Sequence, residues 1–410
     1  MLGYFDQTWY TCSSLAVLKQ HCRGGYERFN NLKKKNPNLN TLIGIGGWNE
    51  GSTKYSAMAA DPNAMTTFVK SVVNFCLKYS FNGLDVDWEY PANRGGAPHD
   101  KQNFVTLLKE LKEAFAPHGL LLSAAVSAGK NTIDTAYDIP GVAKYLDYIN
   151  VMTYDFHGSW ERTTGHNAPL YPGPGVPELS VDYAIKYWVK NGAPKSKIIL
   201  GMGTYGRSFT LANAANNGLG APSTGPGMAG PFTRQAGTLG YNEICRDKGW
   251  TEVFAENIQA PYAYKGNQWV GYDSVKSIGI KVDYVIQNGL GGGMIWSLET
   301  DDFRGSCGGG KYPLLTTIAS KLKIKRQTTD PTPKIIKQPI SNSTTTHRRQ
   351  EFRCTREGFL RDPTDCSVFY YCKARDQKYF YKLTLNCPAG TAFDTSLSAC
   401  KWKKEVPGCA

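Results

Sequence analysis

Phe81-Asn82-Gly83-Leu84-Asp85-Val86-Asp87-Trp88-Glu89-Tyr90-Pro91 decides how this 410-residue chain is read. Asp85, Asp87 and Glu89 alternate with Val86 and Trp88. In a β-strand, residues two apart point to the same side. The spacing predicts a strand over 82–89 with three carboxylates on one face and apolar side chains on the other. Carboxylates this close repel and displace one another's proton affinity. A protein keeps such a stack mainly where it needs an acid that still holds its proton near neutral pH. A solvated acidic edge or a cation site are the competing readings. Phe81, Leu84, Val86 and Trp88 argue against them, because they mark the strand as buried and unpaired charge is rarely buried without a function.

Outward from this strand the chain alternates. Tyr26 to Lys35 reads as an amphipathic helix closed by Asn36-Pro37-Asn38. Thr41 to Ile45 is a short apolar run ending in Gly46-Gly47-Trp48, a buried-strand signature that predicts a strand over 41–46. Asp61-Pro62 opens a helix to about Lys78. After the acidic strand come a loop over Pro91–His99, a helix at about 101–116, and a strand at 120–127. Ile139–Tyr145 and 181–191 read as helices, 146–154 and 198–205 as strands. A Gly/Pro-rich loop with His157, Trp160 and His166 fills 157–178. Strand 291–298 and helix 314–322 close the pattern. Six strands alternating with helices imply parallel pairing and an α/β fold. Polar or aromatic residues end nearly every strand, which is where a (β/α)8 barrel keeps its active site. A doubly wound sheet would need a Gly-rich phosphate loop after a strand, and none is present. About 210–285 breaks the rhythm and reads as an inserted α+β module.

Composition sets limits. No run of about 18 apolar residues exists, so no membrane-spanning helix is expected. The net charge of +13 is spread along the chain, with brief clusters at Lys33–Lys35 and Lys321–Arg326. No recognition motif accompanies it, so a nucleic-acid partner is not expected. Residues 324–350 are Lys, Arg, Thr, Pro, Ser and Asn with almost nothing to bury, a linker by composition. Asn342-Ser343-Thr344 within it has the N-glycosylation pattern. Six of the 11 cysteines fall in the last 57 residues: Cys354, Cys366, Cys372, Cys387, Cys400 and Cys409. That density reads as a disulfide framework formed in an oxidising compartment. No C-x-x-C pair occurs there, so neither zinc nor any other metal or cofactor is expected. A domain over 351–410 is too small for a large core and relies on its bridges. The start, Met1-Leu2-Gly3-Tyr4-Phe5-Asp6, lacks the features of a signal peptide. Residues 1–23 stay unassigned.

Several of these segments together resemble one family. Asn82-Gly83-Leu84-Asp85-Val86-Asp87-Trp88-Glu89 is similar to the signature of glycoside hydrolase family 18, the chitinases. So are Gly46-Gly47-Trp48, Met152-Thr153-Tyr154-Asp155-Phe156, Gly165-His166-Asn167, Thr204-Tyr205-Gly206-Arg207-Ser208 and Gly292-Gly293-Met294-Ile295-Trp296. The tail resembles the peritrophin-type chitin-binding domain. The resemblance runs from about Gly24 to Ala410 and is nearest to secreted arthropod enzymes built as barrel, linker and binding domain.

The resemblance implies a (β/α)8 barrel over 24–323 and roles for particular residues. Glu89 is implied as general acid and base, Asp87 as the group that orients the substrate's acetamido group, and Asp85 as its coupled neighbour. Family 18 is a known substrate-assisted exception among glycosidases. Tyr154 is implied to contact the acetamido oxygen, and Met152, Asp155, Tyr205 and Arg207 to line the subsites. Trp296 is implied as the apolar floor and Trp48 as a further stacking platform. Implied bridges are Cys245–Cys307, Cys354–Cys372, Cys366–Cys409 and Cys387–Cys400, whereas spacing alone leaves the tail's pairing open. Cys76 reads as a buried free thiol. Tyr370, Tyr371, Tyr379 and Trp402 are the tail's candidates for stacking on sugar rings, although some of them must instead fill its small core. Chitin and chito-oligosaccharides are the implied partners, with a secreted monomer expected.

The chain also departs from the family. Its first two barrel strands are not legible in residues 1–23, so the barrel is expected to lack them, to be less stable and to have impaired activity. Gly44 stands where a serine often supports the residue at Asp85, so Asp85 is expected to be thinly supported. Asn82 replaces a frequent Asp on the opposite face of the strand, a mild change. Three functions therefore compete: a retaining endo-acting chitinase, a chitin-binding lectin-like protein without catalysis, and a matrix protein using the tail alone. The presence of Glu89 favours the first.

Overall fold

Six parallel strands carry the larger of two compact units, which divide between Thr332 and Pro333. They are β1 (Leu42–Gly46), β2 (Gly83–Asp87), β3 (Leu121–Ser127), β4 (Tyr148–Met152), β5 (Ile198–Gly203) and β12 (Gly292–Trp296), paired in the order β1-β2-β3-β4-β5-β12. The structure, a computed structural model, describes residues 24–173, 175–328, 358–374, 380–387, 391–395 and 399–409. All six strands expected from the sequence are present, each trimmed at one or both ends. Together they make six strands of the (β/α)8 plan, with β1 and β12 at the edges of the described sheet.

The helices form where cap and pattern agree. In Pro62–Tyr79, Asp61 accepts from the Asn63 amide at 2.8 Å, and Met65, Val69, Val72 and Cys76 face inward. Proline at the first turn and an aspartate cap are both favoured there. Helix Asp100–Phe115 buries Phe104, Leu107, Leu108, Leu111 and Phe115 at the same period. These faces meet the apolar side of β2, where Trp88 crosses Phe104 edge-on at 5.8 Å. Burial drives this assembly, since a buried side chain of this size contributes about 1.5–3 kcal/mol. Burial also pushes the free Cys76 thiol up to about 12, so it stays protonated.

After β5 the chain leaves the parallel sheet at once. Strands β6 (Tyr205–Leu211), β7 (Ser223–Pro226), β8 (Thr238–Gly240), β9 (Thr251–Ala255), β10 (Ala260–Lys265) and β11 (Gln268–Gly271) form an antiparallel sheet. The module thus begins at Tyr205, before the expected 210. It also ends before 285: helix Val275–Gln287 puts Ile278, Val282 and Val285 into the main core. Its 3.6-residue period was masked by the Gly- and Tyr-rich text before it. The closing helix, Pro313–Thr328, continues past the expected Leu322 into the stretch read as linker. Its Lys and Arg residues are good helix formers and suit a helix C-terminus. No helix among the described residues is long and apolar enough to cross a membrane.

The smaller unit has a three-stranded antiparallel sheet, β13 (Gly358–Arg361), β14 (Val368–Ala374) and β15 (Phe380–Asn386), and a hairpin, β16 (Thr391–Asp394) with β17 (Ala399–Trp402). Phe369 and Phe393 stack at 4.0 Å between the two sheets. Bridges Cys366–Cys409 and Cys387–Cys400 staple it, as Cys245–Cys307 staples the module side of the larger unit. Cys372 is disulfide-bonded. Cys354 lies outside the described residues, and so do Tyr379 and Asn342.

Candidate active site

The carboxylate stack of β2 is buried as the sequence pattern requires. Asp85, Asp87 and Glu89 are 4%, 8% and 8% exposed, and on the other face Leu84, Val86 and Trp88 are 1–2% exposed. Trp88 is further fixed by its indole N–H, which donates to Ser52 Oγ at 3.0 Å.

Asp85 is well supported, contrary to the expectation drawn from Gly44. Gly44 does lie opposite Asp85 in the β1–β2 register. The support comes from the opposite flank of β2, within the same sheet. Ser123 Oγ on β3 donates to Asp85 Oδ1, and Asn150 Nδ2 on β4 donates to the same oxygen at 2.7 Å. Asn82, by contrast, turns to β1, where its Oδ1 accepts from the Thr41 amide at 3.0 Å.

Gly46-Gly47 exists because β1 passes too close to β2 for a side chain. A Cβ on Gly46, whose φ is +116°, would sit 2.0 Å from the Asp87 carbonyl oxygen. The Gly47 amide donates to that same oxygen at 2.7 Å. The turn then projects Trp48, 59% exposed, beyond the strand end. Arg94 from the following loop stacks on the Trp48 ring, with its guanidinium carbon 3.5 Å from the centroid.

Three tyrosines surround the acids. Tyr154, just past the end of β4, places its hydroxyl 3.8 Å from Met294 Sδ on β12. Burial, then the charge of Asp87, drives that hydroxyl well above its ordinary range. Burial does the same at Tyr90, followed by the charge of Glu89. At Tyr137 burial again dominates, with Glu89 and Asp87 adding to it. These hydroxyls stay protonated beside the carboxylates, and that of Tyr137 accepts from the Ser127 amide at 3.2 Å. Met152 is half-buried at the end of β4, and Trp296 is half-buried at the end of β12, opposite Gly203 of β5.

The module side of the site is ionic. Arg207 Nε donates to Asp155 Oδ1 at 2.7 Å and its Nη1 to Thr238 Oγ1 at 2.9 Å. Asp155 has a left-handed backbone, φ 58°. Asn167 holds it there: Asn167 Oδ1 accepts from the Asp155 amide at 3.0 Å while its Nδ2 donates to the Tyr205 carbonyl at 3.0 Å. The exposed ring of Trp160 lies 5.4 Å from the Arg207 guanidinium. His166 is buried, with Nε2 at 3.0 and 2.9 Å from the carbonyls of Pro261 and Tyr272, and Nδ1 accepts from the Ala168 amide at 3.0 Å. It ties the loop after β4 to the module.

Every candidate of the larger unit thus gathers at the C-terminal ends of the parallel strands or on the first module strand. Ser123, Asn150, Arg94 and Asn167 were not singled out from sequence as supports, because each has a partner on another element that only the fold brings near. In the smaller unit Tyr370 is 9% exposed and its hydroxyl donates to Asp362 at 2.5 Å. That burial matches the core-filling alternative for Tyr370. Tyr371 lies on β14 opposite Phe359, and Trp402 on β17 opposite Thr391. Phe359, passed over in the sequence, is the exposed large apolar residue among those described in this unit.

The family model for glycosyl hydrolases family 18 matches residues 4–301. The chain belongs to this family. The family 18 match begins well before Gly24, inside the stretch left unassigned by sequence reading. A second model, the chitin binding Peritrophin-A domain, matches residues 354–409. Chitotriosidase-1 of Mus musculus is 41% identical over 395 residues, covering 92% of this chain and 83% of that protein. Among solved structures, the Ostrinia furnacalis Group IV chitinase in complex with allosamidin has a TM-score of 0.73 at 44% identity, covering 76% of this chain and 86% of that one. Human YKL-39, described as a pseudo-chitinase with retained chitooligosaccharide binding, has a TM-score of 0.69 at 43% identity, covering 73% and 84%.

Proposed function

We propose that this chain hydrolyses β-1,4 bonds between N-acetylglucosamine units, with retention of configuration and with help from the substrate's own acetamido group. The observation that carries this reading is the buried Asp85–Asp87–Glu89 stack at the strand ends of a family 18 barrel. Glu89 gives its proton to the glycosidic oxygen as the C1–O bond breaks. The acetamido carbonyl oxygen forms the new bond to C1, giving an oxazolinium ion, while Asp87 orients the acetamido N–H. The Glu89 carboxylate then takes a proton from water as that water attacks C1, and the acetamide is restored. Tyr154 donates to the acetamido oxygen, Asp155 and Arg207 bind sugar hydroxyls, and Trp296 and Trp48 stack on ring faces. The smaller unit holds the chain on chitin, and the protein acts outside the cell as a monomer.

A binding-only protein is the second reading, favoured by the likeness to YKL-39. Hydrolysis of N-acetylglucosamine oligomers by the wild type and by Glu89→Gln separates the two. General acid catalysis is worth about 10²–10⁴-fold, so the variant is expected to lose that factor while still binding oligomers. The first-formed product is expected to be the β-anomer. Equal rates for the two proteins sink the assignment of Glu89, and binding without turnover by the wild type favours the lectin.

A further inference from the structure

Loop 91–99 carries one residue whose contacts the reaction scheme does not use. Arg94 is exposed, yet it is held at three points. Its guanidinium carbon lies 3.5 Å from the centroid of the Trp48 ring, and its Nη1 donates to the Trp48 carbonyl at 2.8 Å and to the Glu89 carbonyl at 3.0 Å. Its backbone is left-handed, φ 51°. Such a conformation is uncommon for a side chain of this size. It persists where the surroundings over-determine it, and an outlier of this kind is a reason to look for function.

The surroundings here do over-determine it. Asp100 is fully buried below the loop. Its Oδ2 accepts from the amides of Ala92 at 3.2 Å and Ala97 at 2.8 Å, and its Oδ1 accepts from Ser56 Oγ at 2.7 Å. Asn93 Nδ2 closes the other side on the Pro91 carbonyl at 2.7 Å. The loop therefore delivers Arg94 already shaped. A planar guanidinium that both stacks and donates loses little freedom on binding, unlike a lysine. One face of the Trp48 ring is covered by this contact, which leaves the other for a ligand.

We propose that Arg94 is a positioning residue for the reaction: stacked on Trp48 and hydrogen-bonded to the Trp48 and Glu89 carbonyls, it locks aromatic platform and acid into one rigid unit. This rests on the reading of Trp48 as a sugar platform and Glu89 as the acid. A sugar stacked on the free face of Trp48 is thereby held at a fixed offset from the proton that Glu89 delivers. An unclamped indole would let the ring drift, and small displacements of a bound substrate cost rate.

The test uses the full chain with Arg94→Met, Arg94→Lys, Trp48→Phe and the Arg94→Met/Trp48→Phe double variant, assayed on the N-acetylglucosamine pentamer. Arg94→Met is expected to raise KM and lower kcat/KM by about tenfold, the scale of one stacked cation with its charged hydrogen bonds. Arg94→Lys keeps the charge without the plane and is expected to fall near Arg94→Met. In the Trp48→Phe background Arg94→Met is expected to change kcat/KM by less than about twofold, since the lock has no platform left to hold. Acrylamide quenching of tryptophan fluorescence is expected to rise in Arg94→Met, and that rise to vanish without Trp48. Unchanged KM and quenching, or an undiminished effect in the Trp48→Phe background, overturns the proposal. So does a melting temperature lowered by more than about 4 °C, which assigns Arg94 a merely structural role. If Glu89→Gln stays fully active, the acid reading falls, while the quenching comparison still decides whether Arg94 holds Trp48.

Discussion

His166 makes the stability of the larger unit depend on pH in a direction the structure fixes. The imidazole is buried between the loop after β4 and the module, donating from Nε2 to the Pro261 and Tyr272 carbonyls and accepting at Nδ1 from Ala168. That pattern needs the neutral ring. Burial, above all, lowers its pKa to about 4, with the buried Lys281 adding to the effect and Asp273 opposing it. In the unfolded chain the ring titrates near 6.5. Between these values the unfolded state binds the extra proton, so stability rises with pH across the window. The contribution is complete above about 6.5 and is lost as pH falls toward 4. The gap corresponds to roughly 3 kcal/mol. At roughly 2–4 °C per kcal/mol for a unit of this size, that is about 6–12 °C in melting temperature. Calorimetric scans from pH 7.5 to 4 on the wild type and on His166→Gln measure it. The variant is expected to be less stable at every pH, because a buried carbonyl loses its donor. Its melting temperature is also expected to fall less steeply below pH 6.5. Parallel curves for the two proteins refute the reasoning. Asn167 follows His166 and holds Asp155, so acid should also loosen the Asp155–Arg207 pair.

Asn150→Leu removes a donor from buried Asp85 and is expected to cost about 1–3 kcal/mol, read from the denaturant midpoint. Unchanged stability would mean that Asp85 does not depend on that bond. Gly46→Ala places a Cβ in the Asp87 carbonyl and should reach or exceed the upper end of the ~1–3 kcal/mol typical of overpacking, read by thermal unfolding and soluble yield. Trp88→Ala empties the apolar side of β2 and should lower stability by about 3–5 kcal/mol, again by denaturant titration. A double-mutant cycle of Asp155→Asn and Arg207→Gln on oligomer KM should give a coupling near 1 kcal/mol, since the pair is partly open to water.

Much of this was legible because it is periodic. The alternation in 82–89 announced both the strand and its two faces, and Asp61-Pro62 announced a helix start through the chemistry of its first turn. The module's limits were not legible. Strand β6 begins at Tyr205, two residues after β5 ends at Gly203, because the chain turns out of the parallel sheet there, and only the pairing of β6 with β11 reveals it. Helix Val275–Gln287 belongs to the barrel because its apolar face meets the barrel core. Whether Tyr370 is a ligand face or a core filler stayed open, because an aromatic in a small disulfide domain reads the same whether it points out or in.

By itself the sequence determined which side chains share the acidic face around β2, roughly where the six parallel strands lie, and which family the motifs resemble. Period and composition are local properties, and a strand of alternating character has one way to bury its apolar side. The tertiary structure alone decided who supports those acids. Ser123 and Asn150 reach Asp85 from two other strands, Asn167 fixes Asp155 across a loop, and Arg94 covers Trp48 from 46 residues away. No spacing in the chain encodes those partners. They become neighbours only when parallel strands align their ends, and a buried carboxylate then takes its donors from whatever that alignment brings within reach.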